Sequence, residues 1–510
     1  MVRNVPSLFV RIALIGVAMA VPVAHGCSAS PVPTISHPAG IRVDVAPPTA
    51  PETPSSPTNR YPLTFVADQA RTFTIDVTVF DDAGNPATSF DGRTAWVRLT
   101  MSPGQIVSVV GPQGPNDPDV VGQNVHLTQG QIKGVKVSVI AAYGDTRIVA
   151  QDVGFVPAPP DTVSQCQDGI DNDNNGLADY PVDPGCFFLN DDTEGVGTNA
   201  YGVSSTIYYD FPRIHDVQGG TTPSKFNSKQ VEILGDDTTP KRMVVTGITN
   251  SGMYVTDIDD FARGFNSIYV FNFSAPYGVR VCDKLARLAG NVSNFYGFTE
   301  LGTPGWTDEP WISDEQSGPC PVPAFVTVTD TMALDTSQMQ ALSSGLMNVK
   351  SPVIGTHFGE AKPQNGVPSD GASNCDLNGD GIVGFNANKA GYNLDEANCN
   401  KACENDVDCS EWNNYLSRGT VKIKFGANNG LLFFDPGQIP AFDTTKVVGP
   451  NKIAEIRGEI RVFVGPTPPF TVQSRCGDDF IAVGQDPTTI KDVQHACVRP
   501  RVGADAEGSN

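Results

Sequence analysis

One segment constrains this chain more than any other. From Cys166 to Cys186 it reads Cys-Gln-Asp-Gly-Ile-Asp-Asn-Asp-Asn-Asn-Gly-Leu-Ala-Asp-Tyr-Pro-Val-Asp-Pro-Gly-Cys. Asp168, Asp171, Asp173, Asn175, Asp179 and Asp183 are crowded between two cysteines, among Gly and Pro that oppose regular helix. Carboxylates this close repel one another unless a cation neutralises them. A flexible loop offering about six to eight hard oxygens suits Ca²⁺. The bracketing cysteines point to an oxidising compartment. A disulfide between them would close about 20 residues, worth roughly 3 kcal/mol in chain entropy. The alternative is a polar hinge without metal.

The order Asp171-x-Asp173-x-Asn175-Gly176-x-x-Asp179 follows the first part of an EF-hand-type loop. Val182 stands where the bidentate Glu belongs, so the loop is instead similar to the helix-free calcium loops of thrombospondin type 3 repeats. Asp183 is the replacement carboxylate. A second set, Asp376, Asn378 and Asp380 followed by Gly381, adjoins Cys375 and resembles the calcium loop of dockerin modules. Ala387 departs from that pattern, and the partner loop that dockerins carry in tandem is far away in the chain.

The N-terminus reads as a targeting segment. Arg3 and Arg11 precede or open the apolar run Ile12–Ala24, which is too short to span a bilayer. Val23-Ala-His-Gly-Cys27 resembles the lipobox of bacterial lipoproteins, with Ala24 and His25 as departures. The resemblance implies a signal peptide over 1–26 and a membrane anchor through lipidated Cys27. The location implied is the outer membrane or cell surface of a Gram-negative bacterium. Cleavage at Ala24-x-Gly26 and plain secretion is the alternative. Ten cysteines remain of the eleven. An even number favours disulfides, with Cys166–Cys186, Cys282–Cys320 and Cys476–Cys497 as local pairs. Cys375, Cys399, Cys403 and Cys409 form two more bridges; a zinc site is less consistent with their spacing, which lacks C-x₂-C knuckles.

The expected fold class is mostly β: an immunoglobulin-like β-sandwich, then an OB-like β-barrel region with a Cys-rich calcium-loop insert. Pro-rich 27–60 reads as an extended tether. Over 61–157, Phe73, Ile75, Val77 and Val79 alternate with polar residues, the period-2 mark of a half-buried strand. Val77-Thr-Val-Phe-Asp-Asp-Ala-Gly-Asn-Pro86, Val97-Arg-Leu99 and Gly134-Val-Lys-Val-Ser-Val139 together resemble the immunoglobulin-like repeats of bacterial surface proteins. Residues 158–200 are a calcium-loop linker, 201–350 an OB-like domain, and 351–416 the Cys-rich calcium-binding insert. Residues 417–497 either complete or repeat the barrel, and 498–510 are a tail.

Within 201–350, Val244-Val-Thr-Gly-Ile-Thr249, Gly252-Met-Tyr-Val-Thr-Asp257 and Ser267-Ile-Tyr-Val-Phe271 read as strands. With the run from Val279 to Leu301 they resemble the OB-fold-like domain of secreted bacterial nucleases, Cys282 replacing a usual Gly. That resemblance implies a binding module without the nuclease catalytic domain. Tyr254, Tyr269, Phe271, Phe273 and Tyr296 are candidates to stack on a ligand, with Arg280, Lys284 and Arg287 beside them. A core role for these aromatics is the competing reading.

The net charge of −22 disfavours nucleic acid and leaves a polysaccharide or protein as the expected partner. No G-x-S-x-G, Walker or H-E-x-x-H motif occurs. His357 is the best lone candidate for acid–base work, and no catalytic residue is assigned. The expectation is a non-enzymatic, calcium-stabilised surface lipoprotein with a polymer- or protein-binding module. The alternatives are an accessory nucleic-acid-binding protein of an extracellular nuclease system and a hydrolase with an unrecognised site.

Overall fold

The computed structural model describes residues 38–63, 70–195, 200–220, 223–235, 242–354, 419–447, 449–463 and 469–501. Cys27, His357, Asp376, Asn378, Asp380, Cys375, Cys399, Cys403 and Cys409 lie outside them. The chain is mostly β, as its alternating pattern predicts. Among the described residues no helix is long and apolar enough to cross a membrane.

The first unit is a sandwich. Its strands are β1 (Gly40–Val45), β2 (Arg71–Phe80), β3 (Trp96–Ser102), β4 (Gln105–Val110), β5 (Val120–Val121), β6 (Asn124–His126), β7 (Gln131–Ile140), β8 (Asp145–Gln151), β9 (Tyr201–Val203) and β10 (Ile207–Tyr208). One sheet runs β1-β2-β7-β4, the other β10-β8-β3-β6-β5 with β9 also on β8. Ile75, Val77, Val135, Val137, Leu99 and Ile148 fill the space between them.

Two boundaries move. The tether expected over 27–60 contains β1, because Ile41 and Val43 alternate with Arg42 and Asp44 and so bury one face on β2. The segment 158–200 is not a linker between domains. It leaves β8 and returns as β9, which pairs with β8 at Val149↔Val203 and Gln151↔Tyr201. Both its ends are therefore held in one sheet, and residues 201–209 belong to the sandwich.

A second unit follows a short helix, Ile214–Gln218. Its strands are β11 (Gln230–Leu234), β12 (Met243–Thr249), β13 (Gly252–Asp257), β14 (Ser267–Phe271), β15 (Lys284–Phe295) and β16 (Phe298–Glu309). Strands β12 to β16 close on themselves. β12–β13, β13–β14, β15–β16 and β12–β15 are antiparallel, while β14–β16 is parallel. These five strands form a closed barrel. Met253, Val255, Ile268, Val270, Leu285, Leu288 and Leu301 fill its interior.

The third unit repeats the second. Its strands are β17 (Val326–Thr327), β18 (Leu346–Lys350), β19 (Val421–Phe425), β20 (Gly430–Asp435), β21 (Ile453–Val462), β22 (Phe470–Gln473) and β23 (Phe480–Ala482). Pairs β19–β20, β21–β22 and β18–β21 are antiparallel, and β20–β22 is parallel. Val353 and Lys424 exchange both backbone bonds, 2.8 and 3.0 Å, and so join the chain after β18 to β19. The open alternative of completing or repeating the first barrel resolves to repetition. The first strand of the repeat comes from within 201–350, whose boundary is corrected accordingly.

The strands themselves carry the repeat. Ala286, Gly290, Phe295, Phe298 and Thr299 on β15–β16 have counterparts in Ala454, Gly458, Phe463, Phe470 and Thr471 on or beside β21–β22. A side chain at Gly458 would lie 2.2 Å from the Gln473 carbonyl oxygen, and one at Gly290 would lie 3.0 Å from that of Gly302. Both strands thus use Gly where neighbouring backbone comes too close for a β-carbon.

The barrels pack face to face. Tyr254, Tyr269 and Phe298 point outward from the first barrel and join the apolar cluster of the second. From the second barrel, Glu455, Arg457, Glu459 and Arg461 lie at alternate positions on β21, opposite in phase to the core residues Ile456, Ile460 and Val462. Arg475 is fully buried at the junction. It makes a bidentate pair with Asp479, at 2.8 and 2.9 Å, and donates to the Thr246 carbonyl at 2.8 Å. The tail expected over 498–510 is fixed at its start, since Arg499 pairs with Asp478 and Arg501 with Asp283.

Candidate functional site

Two places carry chemistry, the acidic loop and the mouth between the barrels. The loop is stapled by Cys166–Cys186; Cys282–Cys320 and Cys476–Cys497 are the other described disulfides. Its base rests on the sandwich through Phe155 and Phe188, whose rings meet edge to face at 5.8 Å. Asp191 is fully buried and accepts from the backbone N–H groups of Val156 and Phe187. Burial pushes its carboxyl up to about 6.

Gly176 turns the loop with φ +91°, a conformation open to Gly and strained for other residues. This turn lets Asp171 and Asp173 face one way. One carboxylate oxygen from each of Asp171, Asp173 and Glu194 lies within 4.8 Å of the others. Asn175 joins them through its side-chain amide, which donates to Asp173 at 3.1 Å and to the buried Asp183 at 3.0 Å. Asp168 and Asp179 instead hold turns, accepting from the N–H groups of Ile170 and Gly169. Glu194 is absent from the sequence-derived set. It lies after the second cysteine, outside the loop motif, yet it is buried and accepts from the N–H groups of Asn172 and Asp179. Among the described residues no Lys or Arg forms an ion pair with Asp171, Asp173, Asp183 or Glu194. The donor set of hard oxygens on a Gly-turned loop fits Ca²⁺.

The ligand-stacking residues expected on the first barrel are separated by the structure. Tyr254 and Tyr269 are almost wholly buried against the second barrel and cannot meet a ligand. The Tyr254 hydroxyl donates to Gln473 Oε1 at 2.6 Å, and Gln473 Nε2 donates to Asp435 at 3.0 Å. Their outward alternation was real, but a second barrel occupies that face. Phe271 is half-buried against the exposed Phe273, ring centroids 4.5 Å apart. Arg280 is corrected too: its guanidinium donates to the carbonyls of Trp311 and Ile312. Arg287 pairs with Glu232. Lys284 begins β15 opposite Glu309, away from the aromatics.

Phe273 keeps the expected exposure, and so does Tyr296. Tyr296 is 60 % exposed at the β15–β16 turn, beside Phe295 at 48 %. Their rings lie 4.9 Å apart, and Phe463 of the second barrel lies 4.9 Å from Tyr296. Below this rim is a cavity of about 310 Å³ lined in part by Phe295, Phe433, Phe463, Asp435, Arg461 and Thr471. No protein-family model matches this chain, and no curated protein matches it.

Deeper in the same interface, Glu459 is fully buried facing Arg475, Thr246 and Asp479, and burial raises its carboxyl to about 8. The three histidines among the described residues are engaged with carboxylates. His126 contacts Asp119, His215 contacts Asp216 and Asp260, and His495 bridges Asp492 and Asp314. Asp492 and Asp314 hold the His495 imidazole above its ordinary range. Arg461, Phe295 and Phe463 were missed from sequence. Their signal is the strict outward phase of β21 and the repetition of Phe at the end of β15 and just after β21, legible only once the barrels are matched.

Proposed function

We propose that this is a non-enzymatic, extracytoplasmic binding protein, anchored through lipidated Cys27 and stiffened by Ca²⁺, whose ligand is a polysaccharide. The observation that carries the binding reading is the rim of Phe295, Tyr296 and Phe463 over a cavity between two barrels. Rings clustered at a concave mouth, here two exposed and one half-buried, are a poor arrangement for solubility and a good one for a ligand with flat apolar faces. Sugar rings have such faces. The rim is not a basic groove, and a chain of net charge −22 repels a phosphate backbone.

Affinity electrophoresis against soluble polysaccharides tests this. A retarding polymer should be found, and Tyr296→Ala should reduce the retardation with the melting temperature unchanged. Equal retardation of wild type and variant, or none with any polymer, sinks the reading.

Asp171, Asp173, Asn175 and Glu194 would hold the ion, which supplies charge neutralisation rather than catalysis. A ligand tenfold above its Kd adds about 1.4 kcal/mol of stability. Chelation should therefore lower the melting temperature of the sandwich and expose the loop to protease. Glu194→Gln should remove the response to added Ca²⁺. An unchanged melt on chelation would make the loop a plain disulfide-closed hinge.

A further inference from the structure

We propose that Arg461 reads a carboxylate, and that the polymer is therefore an acidic polysaccharide whose uronic-acid residues enter the cavity between the barrels. The inference rests on the binding reading above and adds the ligand's chemical class.

The argument is one of unused donors. Arg461 stands on the outward face of β21, opposite Thr471. Its guanidinium carbon lies 5.6 Å from the Tyr269 ring centroid and 5.7 Å from that of Phe298. Two aromatic faces therefore orient it. Among the described residues, no hydrogen bond or ion pair takes its N–H groups. Other arginines of these units are engaged: Arg475 by Asp479, Arg457 by Glu455, Arg213 by Asp257. The two acids that act on Arg461, Asp435 and Glu300, have other donors: Glu300 accepts from the Ser293 hydroxyl at 3.3 Å. Asp435 already accepts from the Gly437 N–H at 2.8 Å and from Gln473 at 3.0 Å.

A half-buried guanidinium with free donors, walled by Phe295, Phe433 and Phe463, is thus turned toward the cavity. Its planar fork matches a carboxylate through two parallel bonds, which a point charge cannot do. The volume, about 310 Å³, is at the low end for ligand pockets and admits one ring rather than a long segment. The rim rings then meet the neighbouring sugar. One arginine is too little for a phosphodiester strand, whose affinity comes from many phosphate contacts.

The test is calorimetric titration of the full chain with galacturonate oligomers and with neutral galactose oligomers of equal length. The acidic series should bind about tenfold or more tightly than the neutral one, the worth of roughly one charge-assisted pair. Arg461→Gln should abolish that preference. Arg461→Lys should weaken it while keeping its salt dependence. Tyr296→Ala should weaken both series alike. Melting curves report whether each variant is folded; the wild-type comparison of the two series needs no variant. Equal binding of both series, or an acidic preference surviving in a folded Arg461→Gln, overturns the role of Arg461 and leaves polysaccharide binding standing. Failure of every polymer overturns the underlying reading as well. Binding of an acidic peptide or single-stranded DNA in place of the sugar, lost in Arg461→Gln, overturns the ligand class.

Discussion

In the first barrel β12 and β13 are joined by the tight turn Asn250-Ser251; in the second, the chain between β18 and β19 runs from Ser351 to Thr420. The pairing circuit is nevertheless the same. Loop-closure entropy grows only slowly with length, so a long connection costs the barrel little. The faces differ as well. The first barrel spends its outward aromatics on the interface, burying Tyr254, Tyr269 and Phe298. The second contributes charged side chains to that interface and forms most of the cavity wall. One circuit thus buries its outward aromatics at the junction while the other lines the cavity, and the difference lies in side chains at equivalent outward positions rather than in topology.

The largest expected effect tests whether the two barrels are one folding unit. Arg475→Ala removes the partner of buried Asp479 and the donor to Thr246 across the junction. Leaving a buried charge unpaired costs about 3–5 kcal/mol. If the barrels are coupled, both should melt together at lower temperature; a first barrel that melts as before would break the comparison. A smaller effect concerns Glu459. The folded chain holds its proton up to about pH 8, whereas an ordinary Glu releases it near 4.5. The unfolded chain therefore loses that proton first. The contribution is full below pH 4.5 and is lost as the pH rises towards about 8. The melting temperature of wild type should fall across this window, and Glu459→Gln should flatten the fall. Identical slopes would mean that Arg475 keeps the carboxylate charged.

Much of the strand pattern was legible because alternation is a local property. Phe73 to Val79, Met253 to Val255 and Ile268 to Val270 each declare an inward face within three to seven residues. What alternation cannot state is what covers the other face. Tyr254 and Tyr269 read as stacking residues or, more often for alternate aromatics, as core, and only the second barrel decides which core they join. The repeat was obscured by the long connection, which places Leu346–Lys350 apart from its partners. The strand pair β8–β9 was hidden in the same way by the acidic loop. In that loop the motif named Asp171, Asp173, Asn175 and Asp179, with Asp183 as the replacement carboxylate, but Glu194 lies beyond the motif and is brought in by the fold. Sequence spacing gathers carboxylates within a turn; it is silent on one supplied by the returning chain.

The smallest effect separates the two meanings of an outward aromatic. Tyr254→Phe keeps the ring between the barrels and removes only the hydroxyl that donates to Gln473 at 2.6 Å. Gln473 Oε1 is then left short of a donor in a buried place, while its amide still serves Asp435. The net worth of such a bond is about 1 kcal/mol, or roughly 2–4 °C in melting temperature for a unit of this size. Tyr296→Ala should behave in the opposite sense, because its ring is exposed: binding falls and the melt does not move. If Tyr254→Phe instead weakened ligand binding at unchanged stability, the first barrel's face would be open in solution. The division of labour between the barrels would then be reversed.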